Sequence, residues 1–486
     1  MRVSNHFKII VHLCSFLIVL YSLTMIPPML VALYEKEQSL FSFALCFFIF
    51  FCGGLFIWLK TKIKDIQLKT RDGFIIIALF WLLFSLISTL PLWLNEQLNM
   101  RFVDALFEGV SGITTTGASV FHNVTDLPKS ILYYRAQLNF VGGLGVIVLA
   151  VAVLPLLGIG GMKLYQSEMP GPFKEEKLTP RLASTARNLW FTYILLGSLC
   201  IIAFKIAGMS FFDALCHGLS TVSLGGFSTY SESIGYFNSV KIEFVAGLFS
   251  LLSAVNFTLY FASLAKFSLR PLLTNPEFRF FITVALLVIG LITFETWRSN
   301  MYSFPDAFIH SFFLTSSMIT DNGLATADYA QWPQHIIVLL LFSSFFGGCV
   351  GSTCGGIKAI RFLILYKQSR QEIHQLIHPK SVSSVRVGDS IITSRLLNSV
   401  WSFFFLYTLC ACFFIWCLSM MGYDLITAFA TVAACLNNMG LGFGETVAGF
   451  GEITDSAKYL MCLAMLLGRL EIYTLLVLLS ASFWRN

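Results

Sequence analysis

The sequence predicts an all-α polytopic membrane protein: four helix–pore-loop–helix repeats around a pseudo-four-fold pore, plus an extra N-terminal helical pair. Three observations carry this. Hydrophobic residues make up 56% of the 486 and charged residues only 12%, where soluble domains carry about 25% charged. A short segment ending in Thr/Gly-type residues recurs four times. Each copy lies between apolar runs long enough to cross a bilayer, although the copy itself is far too short to do so.

Residues 8–33 and 39–59 form the N-terminal pair, joined by Tyr34-Glu35-Lys36-Glu37-Gln38. Pro27-Pro28 should kink or break the first helix near its outer end. The loop that follows carries Lys60, Lys62, Lys64, Lys69 and Arg71, which places it in the cytoplasm. No cleavable signal peptide is evident, and more spans follow. The pair, residues 1–73, holds no copy of the repeat.

The first copy, Asp104 to Gly117, reads DALFEGVSGITTTG. It opens on a carboxylate expected to be the N-cap. A short helix dipping part-way into the membrane and returning as a Thr/Gly strand fits it. One copy alone would fit an extracellular surface helix equally well. Irregular backbone at membrane depth must be buried in protein or line a wet cavity. With Gly117, Gly226, Gly323 and Gly440 in register, the copies align. Thirteen residues earlier stand Asp104, Asp213, His310 and Thr427; six earlier, Ser111, Ser220, Ser317 and Ala434; three earlier, Thr114, Ser223, Thr320 and Asn437. This is a four-fold internal repeat.

The repeats divide the chain into 74–187, 188–279, 280–390 (with an intramembrane loop) and 391–486. Every loop between units is basic: Lys163, Lys174, Lys177, Arg181 and Arg187; then Lys266, Arg270 and Arg279; then Lys367, Arg370, Lys380 and Arg386; and Arg485 at the end. The opposite loops carry Glu96, Asp126, Glu232, Asp328, Glu445, Glu452 and Asp455. Both termini are therefore expected in the cytoplasm, with ten full spans and four re-entrant segments. The twelve cysteines lie mostly in apolar segments and read as free thiols.

Four polar backbone loops meeting about one axis can line a narrow pore, where carbonyls replace a cation's hydration shell. The candidate filter is Thr114, Thr115, Thr116 and Gly117; Ser223, Leu224, Gly225 and Gly226; Thr320, Asp321, Asn322 and Gly323; and Asn437, Asn438, Met439 and Gly440. Thr114, Ser223, Thr320 and Asn437 are expected to add side-chain oxygens. The short helices would aim the negative ends of their dipoles at the pore centre. A ring of carboxylates would suggest divalent ions, but only Asp321 lies in a filter loop, so a monovalent cation is favoured.

Two further stretches stand out. Gly347, Gly348, Gly351, Gly355 and Gly356 should break the second helix of unit three. Close helix packing would also use small residues. A phosphate loop is a poor match, since Ile357 stands where the lysine must follow Gly356 and no strand precedes. Cys349 and Cys354 have no further metal ligand in the segment. The preferred reading is a loop across the pore, with Ser352, Thr353 and Lys358 in it. Arg469 is expected deep in the last span, where an ionisable residue marks a functional site. Glu471 lies on another helical face, and a structural ion pair with another helix is the alternative. Asn256 and Arg135 are explained by packing or snorkelling. No cluster of nucleophile, base or metal groups suggests an enzyme, no phosphorylation or nucleotide domain suggests a pump, and nothing points to nucleic acid.

The chain resembles the Trk/Ktr/HKT superfamily of potassium transporters, specifically the bacterial Trk membrane subunit, over nearly its whole length. The resemblance rests on GITTTGAS at 112–119, SLGGFST at 223–229, GGCVGSTCGGIK at 347–358, CLNNMG at 435–440 and GRLEIYTLLVL at 468–478. It implies potassium uptake through a channel-like pore in the bacterial inner membrane, with K+ as the transported ion at the filter residues and no tightly bound cofactor. It further implies a homodimer and a cytosolic TrkA-like nucleotide-binding regulatory ring. In the family a loop matching 347–358 is the gate, and an arginine matching Arg469 faces the pore below the filter. A secondary symporter coupling potassium to sodium or protons remains the alternative; the available intramembrane carboxylates, Asp321 and Glu471, are too few to decide. The second, third and fourth filter loops depart from a Thr-x-Gly pattern, so discrimination between potassium and sodium is inferred.

Overall fold

Proline and glycine set the first irregularities of the fold. The computed structural model describes residues 2–61, 70–148, 178–326, 329–381, 384–388, 390–480 and 483. Parts of the predicted basic loops (Lys62, Lys64 and Lys69; Lys163, Lys174 and Lys177), Asp328 and Arg485 fall outside the described residues. The N-terminal segment is two helices, α1 (Arg2–Leu23) and α2 (Ile26–Glu35). Pro27 and Pro28 fall in the first turn of α2, where a missing N–H costs least, so the chain breaks just before them. Helix α3 (Ser39–Lys60) packs along α1, and Gly54 brings the two close at Ile18 and Val19.

Unit one comprises α4 (Thr70–Trp93), the short α5 (Phe102–Ile113) and α6 (Lys129–Val148). Unit two comprises α7 (Leu178–Ala207), the short α8 (Phe211–Ser223), α9 (Val240–Ser253) and α10 (Phe257–Ala265). After α11 (Arg270–Thr274), unit three has α12 (Pro276–Arg298), the short α13 (Phe304–Ile319), α14 (Gln334–Ser344) and α15 (Ala359–Ile377). A two-stranded antiparallel ribbon, Arg386–Val387 with Ser390–Ile391, leads to unit four. That unit has α16 (Ser394–Met420), the short α17 (Leu425–Leu436), α18 (Asp455–Arg469) and α19 (Tyr473–Leu479). Six helical stretches among the described residues are long and apolar enough to cross a membrane. The bent pair α9–α10 makes a seventh.

The return segments depart from the ten unbroken spans expected. Unit two bends by 90° at Ala254-Val255-Asn256, where Asn256 caps α10 by accepting from the Thr258 amide. Unit three is interrupted between α14 and α15. Unit four breaks at Leu470–Ile472, with Glu471 and Ile472 at φ 52° and 39°. Arg469 is thus the last residue of α18, not the interior of a continuous span. The first two breaks satisfy each other: the Cys349 amide donates to the Ala254 carbonyl (2.8 Å) and the Phe257 amide to the Gly351 carbonyl (3.2 Å). In lipid, exposed backbone groups would cost several kcal/mol each, so breaks of this kind must pair or face water.

The first short helix begins three residues earlier than Asp104 suggested. Arg101 takes the N-cap position of α5, and Asp104 is its third helical residue, paired with Arg101 (2.9 Å) and Lys458 (2.7 Å). In α8 the Ser210 hydroxyl accepts from the Asp213 amide and donates to its carboxylate (2.6 Å), a reciprocal cap. Ser303 and Asp306 repeat it on α13, and Asp424 caps α17. Ser210→Ala should cost about 1 kcal/mol, read as a lower thermal midpoint of the purified protein in detergent; an unchanged midpoint would show the cap to be dispensable.

Candidate functional site

The four short helices end in the same way. The amides of Thr116, Gly225, Asn322 and Met439 donate to the carbonyls of Ser111, Ser220, Ser317 and Ala434, at 2.8–3.0 Å. The amides one residue earlier, at Thr115, Leu224, Asp321 and Asn438, donate to Gly112, Thr221, Met318 and Cys435. These paired bonds form a Schellman motif, which satisfies carbonyls a helix end would leave bare. The motif places its turning residue in the left-handed region, and φ is 53°, 54°, 58° and 59° at those four positions. Two residues on, Gly117, Gly226, Gly323 and Gly440 return to it, at 80°, 75°, 74° and 82°. Each loop therefore runs left-handed, ordinary, left-handed, whatever its side chains.

The glycines close a ring. A β-carbon at Gly117 would overlap the Gly225 carbonyl oxygen. At Gly226 it would meet Asn322, at Gly323 Met439, and at Gly440 Thr116. Each loop leans on the carbonyl of the next, and the fourth leans on the first. All four glycines line one cavity of about 530 Å³, completed by residues that follow them in the chain, such as Ser119, Phe227 and Leu441. Gly225 lacks a side chain because Asn139 fills the space one would need. The sixteen predicted filter residues are thus gathered at the inner ends of the four short helices. The hydroxyls of Thr114, Ser223 and Thr320 donate to the carbonyls of Val110, Leu219 and Ser316, at 2.7–2.8 Å. Their protons serve the helix ends. Asn437 is held by Ser344 and Tyr407.

Below the glycines lies the interrupted segment of unit three. Residues 346–358 are non-helical, so close packing of a continuous helix does not explain the glycines. The Thr353 hydroxyl donates to the Val222 carbonyl (3.2 Å) and the Gly356 amide to the Asn437 carbonyl (3.2 Å). Gly355 lies so close to the Asn437 carbonyl that no side chain fits, and a β-carbon at Gly356 would stand 3.0 Å from the Asp321 carboxylate. The loop thus touches the ends of the second, third and fourth short helices. Gly348 and Gly351 sit against Ala254 and Asn256 of unit two, while Gly347 packs on Gly355 and Gly356 and the Ser352 hydroxyl donates to the Cys349 carbonyl (2.6 Å). Lys358 is buried and donates to the Cys354 carbonyl. Cys349 and Cys354 are free thiols, and no group of metal-binding residues exists among the described residues.

Arg469 reaches the same loop. Its Nη1 donates to the Thr353 carbonyl (3.0 Å), while its buried Nε and Nη2 have no hydrogen-bond partner. No carboxylate pairs with it among the described residues, which removes the structural ion pair as an explanation. Glu471 instead pairs with Arg361 of α15 (2.6 Å).

Sequence reasoning missed one pair. Arg135 and Glu108, both buried, form an ion pair at 2.7 Å. Arg135 also donates to Ser119 and to the Ser228 carbonyl and lies over the Phe227 ring, while Glu108 accepts from the Val120 amide. The pair ties down the chain just beyond the first two glycines. The available signal was one charge of each sign in neighbouring apolar segments of a single unit.

A sequence model of the TrkH family, described as cation transport proteins, matches residues 39–486. The chain belongs to the TrkH family. It is 64% identical to the Trk system potassium uptake protein TrkG of Escherichia coli (strain K12), over 99% of this chain and 100% of that one. It is 44% identical to the Trk system potassium uptake protein TrkH of Vibrio parahaemolyticus, with the same coverage. The crystal structure of the potassium transporter TrkH from Vibrio parahaemolyticus superposes with a TM-score of 0.92 at 42% identity, covering 99% and 100%. The TrkH-family fold confirms the expected architecture and the resemblance.

Proposed function

We propose that this chain is the membrane subunit of a potassium uptake system, with K+ crossing along the axis of the four loops. The observation that carries this is the ring of left-handed glycines, each against the carbonyl of the next loop. Four copies of one backbone turn at one constriction offer carbonyl oxygens to a dehydrating cation and need no particular side chain. The relatives, named as potassium uptake proteins, support K+ as that cation. In this reading the sixteen loop residues form the filter, the four units follow the boundaries given above, and residues 347–358 form the gate. A homodimer in the bacterial inner membrane, with cytoplasmic termini and a cytosolic nucleotide-binding ring, completes the proposal.

The test is rubidium uptake and reversal potential in liposomes of the purified protein under opposed ion gradients. A conducting pore gives a potential set by the K+ gradient alone. Coupling to sodium or protons moves the potential with those gradients, and no K+-dependent potential at all rejects the reading. The gate assignment has its own test. Deleting residues 351–355 removes the bonds of Thr353 to Val222 and Arg469 and the close approach of Gly355 to Asn437, so resting uptake should rise several-fold. Uptake that falls or is unchanged in a folded variant would reject the gate.

A further inference from the structure

Asp321 is the one carboxylate in the ring of loops, and its position has no carboxylate counterpart in the other three. The equivalent residues are Thr115, Leu224 and Asn438. Aspartate tolerates left-handed backbone because its short side chain can bond nearby backbone groups, which would explain its presence without any function. The structure does not support that explanation. Asp321 is fully buried, and neither carboxylate oxygen has a hydrogen-bond partner. The turn is held by its amide, which donates to the Met318 carbonyl as in the other loops. A buried carboxylate without partners is costly to ionise unless a cation pairs with it. Oδ2 faces Gly356 of the loop beneath. Lys358 and Arg469 lie within electrostatic reach, but neither forms an ion pair with it, and both are bonded to loop carbonyls.

We infer that the Asp321 carboxylate is a binding site for a partly dehydrated monovalent cation, between the carbonyl ring and the loop of unit three. The inference rests on the pore reading above and adds a charged site that the carbonyl ring lacks. The carboxylate offsets the positive charge that Arg469 and Lys358 bring to this level, so an ion leaving the ring meets a compensating anion. The site belongs to one unit only and makes the path electrically lopsided.

Two measurements decide it. Crystals of the wild-type protein soaked in rubidium chloride should show anomalous density within coordination distance of the Asp321 carboxylate, as well as in the ring. Asp321→Asn should raise the half-saturating rubidium concentration for uptake about tenfold or more, as expected when a charge-assisted contact is lost, and Asp321→Glu should recover part of it. Rubidium in the ring but none at Asp321, or a folded Asn variant with unchanged half-saturation, overturns the site and leaves the pore intact. No rubidium on the axis and no uptake by the wild type overturns the pore itself. The crystal measurement decides even if the Asn variant fails to fold.

Discussion

Alanine at Gly323 is expected to remove most of the preference for K+ over Na+. The residue sits at φ 74°, where a side chain costs roughly 1–2 kcal/mol. The added carbon would also overlap the Met439 carbonyl oxygen, so that carbonyl must turn or retreat. If it is an ion ligand, one quarter of the constriction is disordered. A loss of about 1.4 kcal/mol in discrimination is a tenfold change in flux ratio, and at least that much is expected. Gly117, Gly226 and Gly440 make the same contact with their own neighbours and should behave alike. Gly290, inside α12 with nothing near its added carbon, is the control: alanine there should leave the ratio unchanged and if anything strengthen the helix. The measurement is rubidium against sodium flux in liposomes. Equal ratios in wild type and all four ring variants would remove the filter assignment.

The second large effect is expected at Arg469. The guanidinium holds the loop through Thr353 and keeps two further donors buried and unpaired at the level of Asp321. Replacing it with alanine removes a tether and a positive charge together. In a low-dielectric site both changes favour a passing cation, because neighbouring charges interact far more strongly there than in water. Resting rubidium uptake should rise several-fold with little loss of thermal stability, since Arg469 forms no ion pair among the described residues that the substitution would break. Arg469→Lys should fall between, keeping the charge but losing the planar fork of donors. An unstable alanine variant without uptake would mean that the side chain is structural.

Much of this was legible in the residues. The glycine register located the four loops because a ring of converging backbones tolerates nothing larger. The same alignment carried the helix-end motif in advance: positions six before each glycine accept the bond that closes the turn. The break in unit three was legible for a similar reason, from its run of glycines. The breaks in units two and four were not. Ala254-Val255-Asn256 and Leu470-Glu471-Ile472 hold neither glycine nor proline, and local propensity gives no warning. The bend in unit two is held by bonds to Cys349 and Gly351, almost one hundred residues away, a tertiary cause that periodicity cannot register. The Arg135–Glu108 pair was missed likewise, because partners in separate helices leave no spacing to read.

The ring also dictates an order of events during synthesis. Its last contact joins Gly440 to Thr116, beside a bond from the Asn438 side chain to the Thr116 hydroxyl (3.0 Å), and the seam is stitched by Arg101 to Asp455 and Lys458 to Asp104. Every one of those bonds pairs the first unit with the last. A chain emerging from the ribosome therefore holds an open three-quarter ring until unit four is inserted, and on the proposed pore reading it has no finished pathway for ions before then. Truncation before residue 440 leaves the seam unmade, with Thr116, Arg101 and Asp104 lacking their partners from unit four.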